Sequence, residues 1–259
     1  MLYAGSLVHV MQDGIGPAFT RASGDRLAGD PGGSVALANA VRAKLQRADV
    51  FISAEPTVNA SLMGPGNGAW VSWYVPFAAS PLVLAYNPKS RFASSLQTQP
   101  WYQVLAESGF RLGRTDPKLD PKGALTVQFV DAAGRYYHRP TLAAQVLGSA
   151  ENPRQVFPET ALVGRLQAGQ IDAGFLYGEE ASQAHLPYVR LPAAITPSAQ
   201  YTVAILRAAP DPAAATAFVR FLLGPGGQAI LRQEGFAQVR PVVAGNASAL
   251  PSGLRALVS

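Results

Sequence analysis

Cysteine is missing altogether from this 259-residue chain. Structural disulfides and thiolate metal sites are therefore excluded. Histidine is nearly as scarce: His9, His138 and His185 are the whole set, and they lack the spacing of a metal-ligand motif. Charge is sparse too, at 14% Asp, Glu, Lys and Arg, and the net value of +5 comes from scattered rather than clustered cations. With no basic run and no basic–aromatic stripe, nucleic acid is not an expected partner. A mild positive field of this kind favours the arrival of an anion. Long apolar runs are also wanting. Val71 to Tyr86 is broken by Pro and Ser and does not read as a membrane span. The nucleotide phosphate loop, the dinucleotide fingerprint and the Gly-x-Ser-x-Gly elbow are all absent.

What the chain has is an apolar fraction of 48%, with 25 Gly and 21 Pro. That composition is globular, and its many breaks favour short strand–helix connections over a helical bundle. Strand-like runs at Leu2–Ala4, Asp49–Ala54, Leu82–Tyr86, Phe110–Gly113, Ile171–Tyr177 and Tyr201–Leu206 alternate with helical stripes. One stripe is Leu7, Val8, Met11 and Ile15; another is Leu37, Ala38, Val41 and Leu45. A helix is expected from about Gly123, one capped by Thr160 and stopped by Gly169, and one capped at Asp211-Pro212. This alternation predicts an α/β fold with mostly parallel sheets.

Small polar breaks fall where strands end and helices start: Ala4-Gly5-Ser6, Gly32-Gly33-Ser34, Asp116 through Gly123, and Pro158-Glu159-Thr160. Helix starts leave backbone N–H groups unpaired at the positive end of the dipole, and so attract anions. In open α/β sheets, ligands bind at these carboxyl ends. Ser6 and Ser34 are candidate oxyanion donors, and each is equally an ordinary cap. Tyr177, ending Gly174-Phe175-Leu176-Tyr177, is either a phenol donor or a packed strand-end aromatic. Asp120 and Glu159 do not suit a simple anion cage, because a carboxylate repels an oxyanion. They are solvated loop or capping residues, or else they ligate the central atom of the oxyanion. The latter chemistry is open to molybdenum or tungsten but not to sulfur or phosphorus.

In this order the segments resemble the periplasmic substrate-binding proteins of molybdate and tungstate ABC transporters, in the variant with a six-coordinate oxyanion site. The likeness runs through Ala4-Gly5-Ser6-Leu7, Gly33-Ser34-Val35, Trp73-Tyr74-Val75, Asp120-Pro121-Lys122-Gly123, Glu159-Thr160-Ala161, Gly169-Gln170-Ile171-Asp172 and Phe175-Leu176-Tyr177. The resemblance implies a two-lobe, type II-like periplasmic binding protein fold. Lobe one is residues 1–80 with 200–259, and lobe two is residues 81–199. The crossovers fall near Ala79–Pro81 and Pro197–Gln200, with the anion in the interlobe cleft and hinge closure on binding.

It further implies Ser6, Ser34, the backbone N–H of Lys122 and the Tyr177 phenol as donors, with Asp120 and Glu159 on the Mo or W centre. Asp116 is the rival to Asp120. Three departures stand out: Lys122 replaces a small residue or Cys, Gly123-Ala124-Leu125 stands where Gly-Tyr-Arg is expected, and the segment between Gly123 and Glu159 is shorter than usual. The expected protein is a monomer without enzymatic activity or cofactor. It takes tungstate or molybdate as ligand and a membrane permease as partner. It is expected in the periplasm, or outside the cell on a membrane anchor, with a signal peptide or lipobox upstream of Leu2. The alternatives are a binder of sulfate or an organic anion, a small α/β hydrolase using Ser6 or Ser34, and the ligand-sensing domain of a regulator.

Overall fold

The short apolar run Leu2–Ala4 forms β1, and the chain then turns abruptly at Gly5-Ser6-Leu7, a single 3₁₀ turn. The computed structural model describes residues 1–259. A π-helical segment, Val10–Ile15, continues into α1, Gly16–Ser23. The π turn takes an extra residue per turn, so Val10 joins Leu7, Met11 and Ile15 in the core while Val8 is only half-buried. This corrects the simple α-helical stripe. Next come β2 (Asp30–Gly32), α2 (Ser34–Arg42), β3 (Val50–Ser53), α3 (Pro56–Ala60) and the 14-residue β4 (Trp73–Tyr86). On α2, Leu37, Ala38 and Val41 are buried, whereas Leu45 lies beyond the helix end and is 80% exposed.

Along the following stretch lie α4 (Ala93–Thr98), α5 (Trp101–Val104), β5 (Leu112–Thr115), α6 (Pro121–Tyr136) and α7 (Leu142–Leu147). They lead to β6 (Val156–Phe157), α8 (Glu159–Gln167), β7 (Ala173–Tyr177), α9 (Gly178–Gln183) and β8 (Tyr188–Arg190). The chain closes with β9 (Ser198–Ile205), α10 (Pro212–Leu223), α11 (Pro225–Gln233) and β10 (Ala244–Gly245).

The chain divides into two units. The first is Met1–Ser80 with Gln200–Ser259, and the second is Pro81–Ala199. In the first unit, β1 lies between β2 and β3, parallel to both, with Leu2 opposite Asp30 and Phe51. β9 pairs antiparallel with β3, setting Ser53 against Thr202. Parallel strands read as continuous apolar runs because both faces are covered, and β3 is buried at every position. Leu2, Phe51, Leu37, Val41 and Leu206 meet in its core.

In the second unit, β5 runs parallel to β6 and β7, while β7 pairs antiparallel with β4. Val83, Leu162, Leu166, Ile171 and Leu176 pack on one side of this sheet. Elsewhere in the unit, Trp101 packs on Phe129 of α6, with ring centroids 5.4 Å apart, and on Phe175 of β7 at 6.3 Å. These contacts seat α6 against the sheet. β5 begins two residues later than the sequence suggests, since the Arg111 N–H is taken by the Asp172 carboxylate at 2.9 Å. In the middle of β5, Arg114 is completely buried. Its guanidinium donates to the carbonyls of Ser149 and Ala150, both at 2.6 Å, and to Gln155 Oε1 at 3.1 Å.

Candidate functional site

Three parallel strands of the first unit end on one edge, and each is followed by a small polar residue. After β1 comes Ser6, after β2 Ser34, and at the end of β3 Ser53-Ala54. Ser6 and Ser34 are both buried, Ser34 completely. The Ser34 hydroxyl accepts the Ala54 N–H at 3.1 Å, which ties the ends of β2 and β3 together. Ser6 Oγ lies 3.0 Å from the Tyr201 phenol oxygen. Neither serine bonds to a histidine. His9 is instead engaged with Asp13 at 2.9 Å and Glu234 at 3.6 Å. The nucleophile–base pair that a serine hydrolase needs is thus not formed at either serine in this structure.

The second unit has a denser cluster at the ends of its own parallel strands. Past β5, Asp120 caps α6: its Oδ1 accepts the Lys122 N–H at 3.1 Å and the Thr115 hydroxyl at 2.7 Å. Pro121 at the first helical position fixes φ for the helix, so α6 opens two residues before the expected Gly123. Gly123 is needed for close approach, since a Cβ there would lie 2.5 Å from the Thr115 carbonyl oxygen. Asp116, the rival carboxylate, only closes its own loop by accepting the Lys118 N–H in an exposed bond.

Past β6, Glu159 is itself the first residue of α8. Pro158 occupies the cap position, so Thr160 lies inside the helix and does not cap it. Gly169 beyond the helix end takes a left-handed φ of +71°, as a helix stop does.

Lys122 joins these elements. Its side chain, 1% exposed, places Nζ 3.0 Å from Glu159 Oε1 and 2.7 Å from Glu180 Oε1. The other Glu180 oxygen accepts the Tyr177 N–H at 2.8 Å, at the end of β7. The ammonium also lies 5.3 Å above the Tyr177 ring. Glu159 Oε2 is buried and has no hydrogen-bond partner.

The electrostatics follow from burial and crowding. Burial pushes the Glu159 carboxyl up, to about 8, although Lys122 pulls it down. Burial likewise raises Asp120 against the pull of Lys122 and Thr115. For Lys122 burial works against the charge, but Glu180, Glu159 and Asp120 outweigh it and hold the ammonium protonated. Burial and the surrounding carboxylates raise the Tyr177 phenol well above its usual range, so it stays a hydrogen-bond donor.

Asp120, Lys122, Glu159 and Tyr177 are therefore gathered in one cluster of the second unit, while Ser6 and Ser34 sit at neighbouring strand ends of the first. Two features lie outside the sequence reading. The Lys122 side chain is central, where only its backbone N–H is expected to matter, and Glu180 completes the cluster. The acidic pair Glu179-Glu180 directly after a strand is a readable helix-start signal, but it marks a cap and not a lysine partner.

Polar side chains and helix starts along the carboxyl edges of parallel strands define an α/β ligand-binding protein. The chain belongs to the bacterial extracellular solute-binding protein family, whose model it matches over residues 1–237. It is 34% identical over 228 residues to a Haloferax volcanii protein provisionally named an ABC transporter molybdenum-binding protein, covering 87% of this chain and 67% of the relative. It is 28% identical over 274 residues to the molybdate/tungstate-binding protein WtpA of Pyrococcus abyssi, covering 87% and 78%. In fold it is similar to the periplasmic molybdate-binding protein of Azotobacter vinelandii, with a TM-score of 0.72 at 20% identity over 92% of this chain and 98% of that one. No helix is long and apolar enough to cross a membrane.

Proposed function

We propose that this protein captures molybdate or tungstate outside the cytoplasm, as a monomer, and delivers it unchanged to the permease of an ABC importer. The observation that carries this reading is the cluster around Glu159. A buried carboxylate oxygen without a partner is costly, and it suits a ligand whose central atom accepts an added oxygen donor. Molybdenum and tungsten do so; sulfur and phosphorus in their tetrahedral oxyanions do not. Asp120 and Glu159 are the carboxylates assigned to that centre. Ser6, Ser34 and the Tyr177 phenol are the donors assigned to the oxygens; the Lys122 N–H, expected to be a fourth, donates instead to Asp120 Oδ1 at 3.1 Å. The names of the Haloferax and Pyrococcus relatives support the same ligand class. The buried Asp120, in place of the half-buried Asp116, supports the choice of carboxylate.

Titration calorimetry with tungstate, molybdate, sulfate and phosphate tests the reading. Tight binding of the first two, with no measurable heat from the others, is the expected result. A preference for sulfate or phosphate would overturn it. X-ray fluorescence of protein purified from molybdate-supplemented medium should show retained metal.

A further inference from the structure

One residue of the second unit touches a group beyond the end of each of three parallel strands. Lys122 bonds Asp120, past β5, through its backbone N–H. Its ammonium bonds Glu159, past β6, and Glu180, past β7. Because Oε1 of Glu159 is held at 3.0 Å, the carboxylate has a fixed direction, and Oε2 is left as the oxygen without a partner. Any residue at position 122 except proline supplies the backbone N–H; only the side chain supplies this hold and its charge.

We propose that Lys122 is a positioning residue for the oxyanion. Its ammonium aims the free oxygen of Glu159 at the ligand and is the counter-charge that lets buried carboxylates sit beside a dianion. The inference rests on the oxyanion-binding reading above and adds to it a role for the lysine side chain. Carboxylates and an oxyanion repel strongly in a buried site. A cation within 3 Å of two of those carboxylates, itself 1% exposed and little screened by salt, offsets that repulsion where water cannot.

The test separates aim from simple neutralisation. Lys122→Met alone strands two buried carboxylates and is expected to lower the melting temperature. The double variant Lys122→Met with Glu180→Gln removes one charge of each sign, and the amide oxygen of the new side chain can still accept the Tyr177 N–H. It is expected to melt close to the wild type yet to bind tungstate at least tenfold more weakly by calorimetry. Lys122→Arg keeps the charge but changes its geometry, and is expected to weaken tungstate binding more than twofold with little change in melting. Tungstate affinity within twofold of the wild type in the double variant, or in Lys122→Arg should the double variant not fold, would overturn the proposal. A wild-type protein that binds none of the anions would overturn the oxyanion reading itself, and the proposal with it.

Discussion

The phenol of Tyr201 and the hydroxyl of Ser6 lie 3.0 Å apart, joining residues separated by 195 positions, both within the first unit. Either oxygen can donate. When the phenol donates, the Ser6 proton is free for a ligand, and the serine is held in one rotamer. Tyr201→Phe should therefore weaken tungstate binding roughly fivefold, the equivalent of one ordinary hydrogen bond. Calorimetry reads the change, and Ser6→Ala should cost at least as much.

Replacing Glu159 by Gln keeps the shape of the side chain and removes its charge. Burial already raises this carboxyl to about 8, so the fold holds its charged form at a disadvantage. Lys122 keeps Glu180 as a partner in the variant. Glu159→Gln should melt within a few degrees of the wild type while tungstate affinity falls at least tenfold. Unchanged affinity would point to a different carboxylate.

A methyl group at position 123 has nowhere to go. It would meet Thr115 O at 2.5 Å, with the Asp116 carbonyl carbon and Pro117 N both at 2.7 Å. These are backbone atoms, which do not swing aside. Gly123→Ala should destabilise the protein by about 1–3 kcal/mol in urea unfolding. It should also weaken tungstate binding by pushing the Asp120–Lys122 turn away from β5.

Asp172 gives the protein an acid-sensitive bond set. Burial acts to raise its carboxyl, but hydrogen bonds from the Arg111 side chain and N–H and from the Ser90 hydroxyl outweigh it and hold it below the usual carboxylate range. A folded value below the unfolded one gives stability that is complete above about pH 4 and drains as pH falls through the folded value. Asp172→Asn should cost about 1–3 kcal/mol at pH 7. The gap to the wild type should shrink in urea unfolding at pH 3.

Much of the fold is legible because the strands are continuous apolar runs ended by Gly, Pro or Asp. Val50–Ser53 lies within the predicted Asp49–Ala54, and the Asp211-Pro212 start of α10 is capped by the Asp211 side chain, which accepts the Ala213 and Ala214 N–H groups. The same Asp-Pro signature at Asp120-Pro121 starts α6, two residues before the expected Gly123. Local rules place Thr160 wrongly because Pro158, already extended, takes the cap position. They miss the π-helical turn at Val10–Ile15, which no short-range period announces. The meeting of Lys122 with Glu180 is a tertiary fact between residues 58 positions apart. A lone lysine in a polar loop reads as solvated, and only the convergence of three strand ends buries it.

Arg114 has a consequence for how this molecule ages in solution. Glycine- and serine-bearing loops such as 148–155 are ordinarily where proteases first nick a domain. Here, swinging the segment outward would strip a guanidinium of three acceptors inside the protein, at a cost of several kcal/mol. The loop is thereby stapled from beneath, and clipping there should wait for the whole second unit to open.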